Sequence, residues 1–406
     1  MAGETQYTTG DYLDNQVNIS VSFTNGTAEL IDFTVVEVIL GESLLTPGLQ
    51  TSVKAHSYIH APNNKNFDRL KGAGVEIALE KKALRKFGYR STLDINQVVY
   101  RMDNRYLINN QNESLTLRAC DQSLLNDAET LVSKSWKCTS PSDIVEYVLR
   151  SCAGVNSLDV EYSEPSRDYI AENIHPFQVV NQQANYALAN GYDPSFLHYM
   201  TYENGGTHHF RSLSTLTEQR PVAEFSYNDT DAAYPNPNSI MTYSFPCDFD
   251  LLSDVMNGIS TSGRSMSSVA LFDPMLKSFS LMGGGAIGCG VGEGVFRYAI
   301  SNQLSATNMD ACPDYAKEYL LKRQARMGLL EKNKVALKMT VPFNPSLNVG
   351  KVVRVSLYNK ELLPNEVKLY GSGDYLILNM FHHIVNGGFS VTTMDCVSTT
   401  VGRGEV

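Results

Sequence analysis

Apolar and polar residues alternate with a period of two through the C-terminal part of the chain. Val335, Leu337, Met339 and Val341 alternate with Ala336, Lys338 and Thr340, the pattern of a strand with one buried face. Pro342 and Pro345 stop the run, because proline cannot donate to a sheet ladder. After Gly350, Val353, Val355 and Leu357 alternate with Val352, Arg354 and Ser356. A polar loop with Pro364 follows. Gly371-Ser372-Gly373 then opens a third run that places Tyr375, Ile377, Asn379 and Phe381 on one face. The turn Asn386-Gly387-Gly388 precedes a fourth, Phe389 to Val397, its glycines supplying the positive φ of a tight hairpin. Four such strands predict a meander, and a long meander removes its edges by closing into a barrel or sandwich.

The N-terminal part shows the same texture. Val17, Ile19, Val21 and Phe23 alternate with polar residues, and Asn25-Gly26 predicts a hairpin to a return strand over Leu30 to Leu40. Further strands are expected at Val53 to Ile59, around Val75, Ile77 and Leu79, at Ile95 to Met102, at Tyr106 to Ile108 and at Ser114 to Ala119. Lys81, Lys82, Arg85, Lys86 and Arg90 form a basic stretch among them. Residues 1–130 therefore read as a strand unit of the same kind as the C-terminal one.

Between the two, the period changes. Ser140-Pro141-Ser142-Asp143 is a helix start with proline in the first turn. Ile144, Val145, Val148 and Leu149 give the apolar stripe of a helix. Pro176 opens a second helix, with Val179, Val180, Ala184, Ala187 and Leu188 on its face and Gly191 as the C-terminal cap. Phe196 to Tyr202 and Thr207 to Leu213 predict two strands about Glu203-Asn204-Gly205-Gly206. Residues 131–249 thus read as a mixed α/β block. Within them 228–247, rich in asparagine and with Pro235, Pro237 and Pro246, read as a connection. A second strand unit takes 250–282 and 332–401. Residues 283–331, a glycine-rich loop and a helix after Pro313, form an excursion packing on the mixed block.

Composition narrows the function classes. The chain has 406 residues, 43% of them apolar, and a formal charge of −10. That length holds two or three domains. The acidic balance argues against binding nucleic acid or anionic membrane through the whole surface. Residues 1–6 lack the basic and apolar regions of a signal peptide, and no apolar run approaches the ~18 residues of a membrane span. Seven cysteines lie far apart, at 120, 138, 152, 247, 289, 312 and 396. They form no Cys-x-x-Cys, which fits free thiols in a reducing cytoplasm.

No motif assembles catalytic chemistry, so no catalytic, cofactor-binding or metal-binding residue is assigned and no cofactor is expected. The glycine-rich stretch 283–294 has Glu293 where a dinucleotide fingerprint needs glycine, and no phosphate-binding lysine follows. His208-His209 and His382-His383 are adjacent on predicted strands, so their side chains face opposite ways and neither pair chelates one metal. One histidine inward and one outward is the expectation for each. Nothing local activates Cys289 or Cys312. No pair of carboxylates stands out as a glycosidase site. Lys317, Lys322, Arg323 and Arg326 read as a solvated helix face.

Three segments carry a resemblance to a known family. They are Asn173 to Val180 with its helix, Tyr199 to Leu213 with its Tyr202-Glu203-Asn204 turn, and the run Val349 to Val355, Gly371 to Ile377, then His383 and the final strand. Gly258 to Lys277, with Asp273, fits as the strand pair opening a second barrel. In order and spacing, the chain from about residue 140 onward resembles the baseplate hub proteins of contractile-tailed bacteriophages, related to the hubs of contractile injection systems. The N-terminal unit matches in general character.

The resemblance implies a mainly β fold with an α+β part: two tube-like antiparallel β-barrels joined by a mixed α/β domain. It implies a structural, non-enzymatic homotrimer whose six barrels form a pseudo-sixfold ring between a sixfold tail tube and a threefold spike. Its expected partners are itself, the spike protein, the tube or tube-initiator protein and other baseplate proteins. No membrane partner is expected, and DNA is only transient cargo. The location implied is the virion tail baseplate, assembled in the host cytoplasm, with no lytic domain after Val406. A channel lined by acidic and neutral polar side chains is expected, with the basic stretches on outer or partner-facing surfaces, because a basic lining would hold phosphates. The alternatives are a cell-wall-degrading enzyme of the tail or a receptor- or carbohydrate-binding protein.

Overall fold

Alternation becomes strand pairing over most of the chain. The structure, a computed structural model, describes residues 16–24, 33–58, 70–189, 195–227, 237–247, 268–273, 278–283, 296–300, 336–357 and 371–398. The first unit comprises β1 (Asn18–Thr24), β2 (Phe33–Ser43), β3 (Gln50–Tyr58), β4 (Gly74–Glu80), β5 (Thr92–Leu107) and β6 (Asn112–Cys120). The mixed block follows: α1 (Gln122–Glu129), β7 (Val132–Thr139), α2 (Pro141–Ser151), β8 (Ser157–Val160), β9 (Arg167–Ile174), α3 (Pro176–Tyr186), β10 (Phe196–Thr201), β11 (Thr207–Ser212) and α4 (Leu213–Thr217). The remaining strands are β12 (Ala223–Tyr227), β13 (Ser239–Ile240), β14 (Thr242–Cys247), β15 (Ser268–Asp273), β16 (Ser278–Gly283), β17 (Phe296–Ile300), β18 (Ala336–Pro342), β19 (Val352–Ser356), β20 (Gly373–Val385) and β21 (Val391–Ser398). The fold is mainly β with an α+β part, as expected.

A 13-stranded sheet joins both strand units, running β1-β4-β5-β6-β3-β2-β20-β19-β12-β13, with β14, β18 and β21 branching from it. In the second unit the ladders close on themselves. β19 pairs β20, β20 pairs β21, β21 pairs β18, β18 pairs β14, and β12 pairs both β19 and β13. Only Met241 separates β13 from β14, and its N–H donates to Thr340 O at 2.9 Å. This circuit encloses a core that includes Phe225, Met339, Val353, Tyr375 and Ile377. The first unit has its own core around Val38, Leu40, Ile77, Ile95 and Leu117. Antiparallel pairing of β2 with β20, from Glu37↔Val385 to Ser43↔Asn379, welds the two units edge to edge.

Several local expectations give way to tertiary pairing. The strands flanking Asn25-Gly26 are not neighbours: β1 pairs β4, while β2 pairs β3 and β20. The turn itself lies outside the described residues. The strands expected at 95–102 and 106–108 are one strand, β5, with two register shifts against β6. The connection expected over 228–247 contains β13 and β14, which belong to the second unit together with β12. By contrast β15, β16 and β17 form a separate three-stranded sheet, with β17 inside the span assigned to loop and helix. The glycine-rich stretch from 284, Cys289, Cys312 and the cationic helix face at 317–326 lie outside the described residues.

β20 shows how a bulge rewrites a face. Its ladder with β21 slips between Ile377 and Asn379. The extra residue shifts the period of two, so Tyr375 and Ile377 point inward, then Met380, His382 and Ile384 take over. Phe381, expected on the same face as Tyr375 and Ile377, is 46% exposed. The helices follow their signals more closely. Ser140 Oγ caps α2 by accepting from Asp143 N at 3.1 Å, and Ile144, Val145, Val148 and Leu149 are buried. α3 ends at Tyr186, before Gly191, because Leu188 is drawn into a bridge with Glu164 (N–H to O, 2.8 and 2.9 Å). Gly191 is outside the described residues. Among the described residues, no helix is long and apolar enough to cross a membrane.

The turn between β20 and β21 yields a first prediction. Gly387 has φ +69°, and a Cβ on Gly388 would lie 2.8 Å from Val385 Cγ1. Valine at either position is expected to cost about 1–3 kcal/mol in urea unfolding, by backbone strain at the first and by overlap at the second. Two variants unfolding with the parent would show that this turn does not have this geometry.

Candidate functional site at the junction of the three units

Strand β10 is buried at all six positions, and its side chains serve three cores. Phe196 packs in the core of the mixed block, Leu197 and Tyr199 in that of the second unit, and Met200 with Tyr202 in that of the first. A strand covered on both faces loses the alternation of a half-exposed one.

Beside its end sits Glu42, only 3% exposed. It continues the inward phase of Val38 and Leu40 on β2. One carboxyl oxygen accepts from Tyr202 N at 2.7 Å and the other from Val349 N at 2.9 Å. One side chain thus ties the first unit to the mixed block and to the second unit. Burial raises its pKa to about 8, opposed by the two backbone donors and reinforced by nearby Glu203. Tyr202 adds a second tie, its hydroxyl donating to Gln50 O at 2.8 Å and lying 3.0 Å from Thr51 Oγ1. Lys81 supplies a third. It is buried, its Nζ donates to Phe343 O at 3.3 Å, and burial lowers its pKa to about 8. The expectation that the whole basic stretch from Lys81 to Arg90 faces outward therefore fails at Lys81. Lys82, Arg85 and Lys86 are exposed on a 3-10 turn.

A polar cavity of about 350 Å³ opens between the mixed block and the loop at 349–351, lined by Asp159, Tyr199, Glu203, His209, Arg211 and Lys351 among others. Arg211 grips Asp159 with two hydrogen bonds, 2.7 and 2.9 Å. His209 Nδ1 is 2.9 Å from the same carboxylate, and His209 then Arg211 hold Asp159 well below the usual carboxylate range. The Tyr199 ring stacks on His209 with centroids 4.8 Å apart. Gly350, at φ +77°, leaves room for Tyr199: a Cβ there would lie 2.8 Å from its hydroxyl.

The other face of the same strand pair carries a wired polar chain. Ser123 Oγ donates to Asp121 Oδ1 (2.5 Å), the group that also accepts from Ser123 N and caps α1. With its proton committed there, Ser123 Oγ accepts from His208 Nε2 at 2.9 Å. His208 Nδ1 then accepts from His198 Nε2 at 3.1 Å. This leaves His198 Nδ1 as a buried acceptor without a hydrogen-bond partner. Burial keeps both rings neutral, pushing His208 down to about 3 and His198 well below its ordinary value. A serine beside a histidine suggests a nucleophile and base, but here the proton runs from histidine to serine to aspartate. Ser123 is also 3% exposed.

The two histidine pairs therefore differ. His382 is buried on Thr392 Oγ1 (2.8 Å), while His383 is half-exposed beside Glu37 (3.1 Å), the inward and outward arrangement expected. His208 and His209 face opposite sides but are both buried, because elements cover both faces of β11. Among the described residues, no group of three or more His, Cys, Asp or Glu side chains is placed to hold a metal ion. Cys120, Cys138, Cys152 and Cys396 are free thiols. The segment Tyr199 to Leu213, read from the sequence only as part of the family resemblance, lies at this junction. Glu42 was missed, although a carboxylate in phase with Val38 and Leu40 was a visible signal.

No protein-family model matches the chain, and no curated protein matches its sequence. Its fold, however, is that of tail proteins of bacteriophages and contractile injection systems. The chain is similar over 95% of its length to the tail protein of Neisseria meningitidis MC58 (98% of that chain, TM-score 0.58, 10% identity). Over 94% of its length it is similar to the 43 kDa tail protein of prophage MuSo2 from Shewanella oneidensis (98% of that chain, TM-score 0.57, 9% identity). The E. coli c3393 protein, a component of the type VI secretion system with structural similarity to T4 tail proteins, matches 94% of this chain over 77% of its own (TM-score 0.51, 10% identity). The resemblance to baseplate hubs read from the sequence is borne out in the fold.

Proposed function

We propose that this protein is a structural hub of a contractile-tail baseplate, acting as a homotrimer and not as an enzyme. The observation that carries this reading is the β2–β20 ladder. It joins two strand units edge to edge within one chain, as neighbouring units of a ring would be joined. Three such chains supply six units, the simplest way to match a threefold spike to a sixfold tube. The junction around Glu42 and β10 holds both units to the mixed block at a set angle, which a ring requires. The wired Asp121-Ser123-His208-His198 chain supports a non-catalytic role, since its serine is buried and its proton is already committed.

In this reading the partners are the spike protein, the tube or tube-initiator protein and other baseplate proteins, and the protein resides in the virion tail. DNA passes through a channel whose lining is acidic or neutral. Light scattering tests the assembly. Three copies of the 44.9 kDa chain are expected, alone or with a candidate spike protein. A monomer in both samples would sink the proposal.

A further inference from the structure

The polar cavity beside Gly350 is built from two units and holds charges that the chain itself leaves unused. Tyr199 and Glu203 reach it from the mixed block, and Lys351 from the second unit. One part of its wall is closed on itself. Arg211 and His209 occupy Asp159, and Thr201 Oγ1 lies 3.0 Å from Nε2 of the same histidine. Three other groups have no such closure. Among the described residues, the Glu203 carboxylate, the Lys351 ammonium and the Tyr199 hydroxyl have no ion-pair or hydrogen-bond partner. Tyr199 is only 3% exposed, so its hydroxyl can be bonded only from within the cavity. Burial raises its pKa and keeps it a donor.

The backbone that carries these groups is fixed. Glu203 O accepts from Thr207 Oγ1 at 2.7 Å and from Gly206 N at 3.1 Å. On the second unit, Gly350 N donates to Ile377 O at 3.0 Å, Gly350 O accepts from Gln219 Nε2 at 3.0 Å, and Lys351 N donates to Asn348 O at 3.4 Å. Glu203 and Lys351 thus line one cavity yet lie farther apart than an ion pair. The lining is balanced, with Asp159 and Glu203 against Arg211 and Lys351. A simple anion or cation would meet one of the two free charges and leave the other unpaired, at a cost in a partly dewatered site. A ligand that carries both signs meets both. A cavity of about 150 Å³ already admits benzene, so one of about 350 Å³ admits a molecule the size of an amino acid with its side chain.

We propose that this cavity binds a small zwitterion, a free α-amino acid or a short peptide. Its ammonium lies on Glu203, and its carboxylate on Lys351 and the Tyr199 hydroxyl. Convergent polar groups in a formed cavity are what a small-molecule site requires. Such a ligand bridges the mixed block and the second unit, so it binds the folded junction and raises the melting temperature with concentration.

Calorimetric titration of the full chain with L-alanyl-L-alanine, its N-acetyl derivative and its C-terminal amide tests this. The dipeptide is expected to bind, and each blocked derivative roughly tenfold more weakly, for the loss of one charge-assisted contact. Glu203→Gln is expected to weaken the dipeptide by roughly the same factor and to remove its advantage over the N-acetyl derivative. Lys351→Gln is expected to remove its advantage over the amide. Neither side chain has a partner in the chain to lose, so both variants should melt with the parent in the absence of ligand. No saturable binding of the dipeptide up to ~10 mM overturns the proposal. Equal binding of the three probes overturns it too, as does dipeptide binding that both substitutions leave unchanged.

Discussion

Replacing Glu42 with alanine is expected to destabilise the protein by roughly 2–5 kcal/mol, because it leaves two buried backbone donors, Tyr202 N and Val349 N, without an acceptor. Glu42→Gln keeps the shape and one acceptor oxygen but turns an amide NH2 toward the other donor. Its expected cost is about 1–3 kcal/mol. The pH dependence separates the two effects. Burial raises the carboxyl from its ordinary 4.5 to about 8, so the folded state holds this proton more tightly than the unfolded chain. That contribution is complete below pH 4.5 and is lost as pH rises through 8. The parent should therefore lose stability across this window while Glu42→Gln does not, and the gap between them should narrow toward pH 9. Urea unfolding at pH 5, 7 and 9 measures this. A gap that is constant or widens with pH would mean that Glu42 is ionised in the folded protein.

Gly350→Ala is the second large effect. Its φ of +77° costs an alanine about 1–2 kcal/mol, and the new Cβ would lie 2.8 Å from the Tyr199 hydroxyl and 3.1 Å from its ring, adding about 1–3 kcal/mol of overlap. A total of roughly 2–5 kcal/mol is expected. The overlap should depend on Tyr199. Removing the hydroxyl in the double variant Gly350→Ala, Tyr199→Phe should recover part of the loss, with a coupling of about 0.5–2 kcal/mol. Strict additivity of the two single changes in urea unfolding would show that the glycine is needed for its backbone conformation alone. Because Tyr199 stacks on His209, the same variant should also perturb the His209-Asp159-Arg211 contacts. A change in the His209 imidazole signals by NMR checks that.

Much of this molecule could be read along the chain. β4 buries Val75, Ile77 and Leu79 as their spacing requires, and β18 buries Leu337, Met339 and Val341. α2 has the cap and the stripe that Ser140-Pro141 and Ile144 to Leu149 announce. These elements are half-buried and local, so one residue's neighbours along the chain report which face meets the core. The start of α3 at Pro176 and the strands β10 and β11 were legible for the same reason, and so was the resemblance carried by Tyr199 to Leu213.

Pairing between distant segments was not legible. Asn25-Gly26 is a strong local hairpin signal, yet β1 leaves β2 for β4, because β2 is occupied by β3 on one side and β20 on the other. The phase of β20 beyond Ile377 follows a bulge set by its ladder with β21, which no spacing rule contains. Glu42 keeps the inward phase of Val38 and Leu40, but its partners and that of Lys81 cannot be read along the chain, because Tyr202, Val349 and Phe343 lie more than 150 residues away. Alternation along the chain determined the half-buried strands and helices, since that depends on contacts a few residues apart, but not β13, β14 or β17. Which strand meets which, and which polar group is buried at the junction, was decided only by the tertiary structure, because those energies come from backbone and side-chain partners that the sequence places far apart.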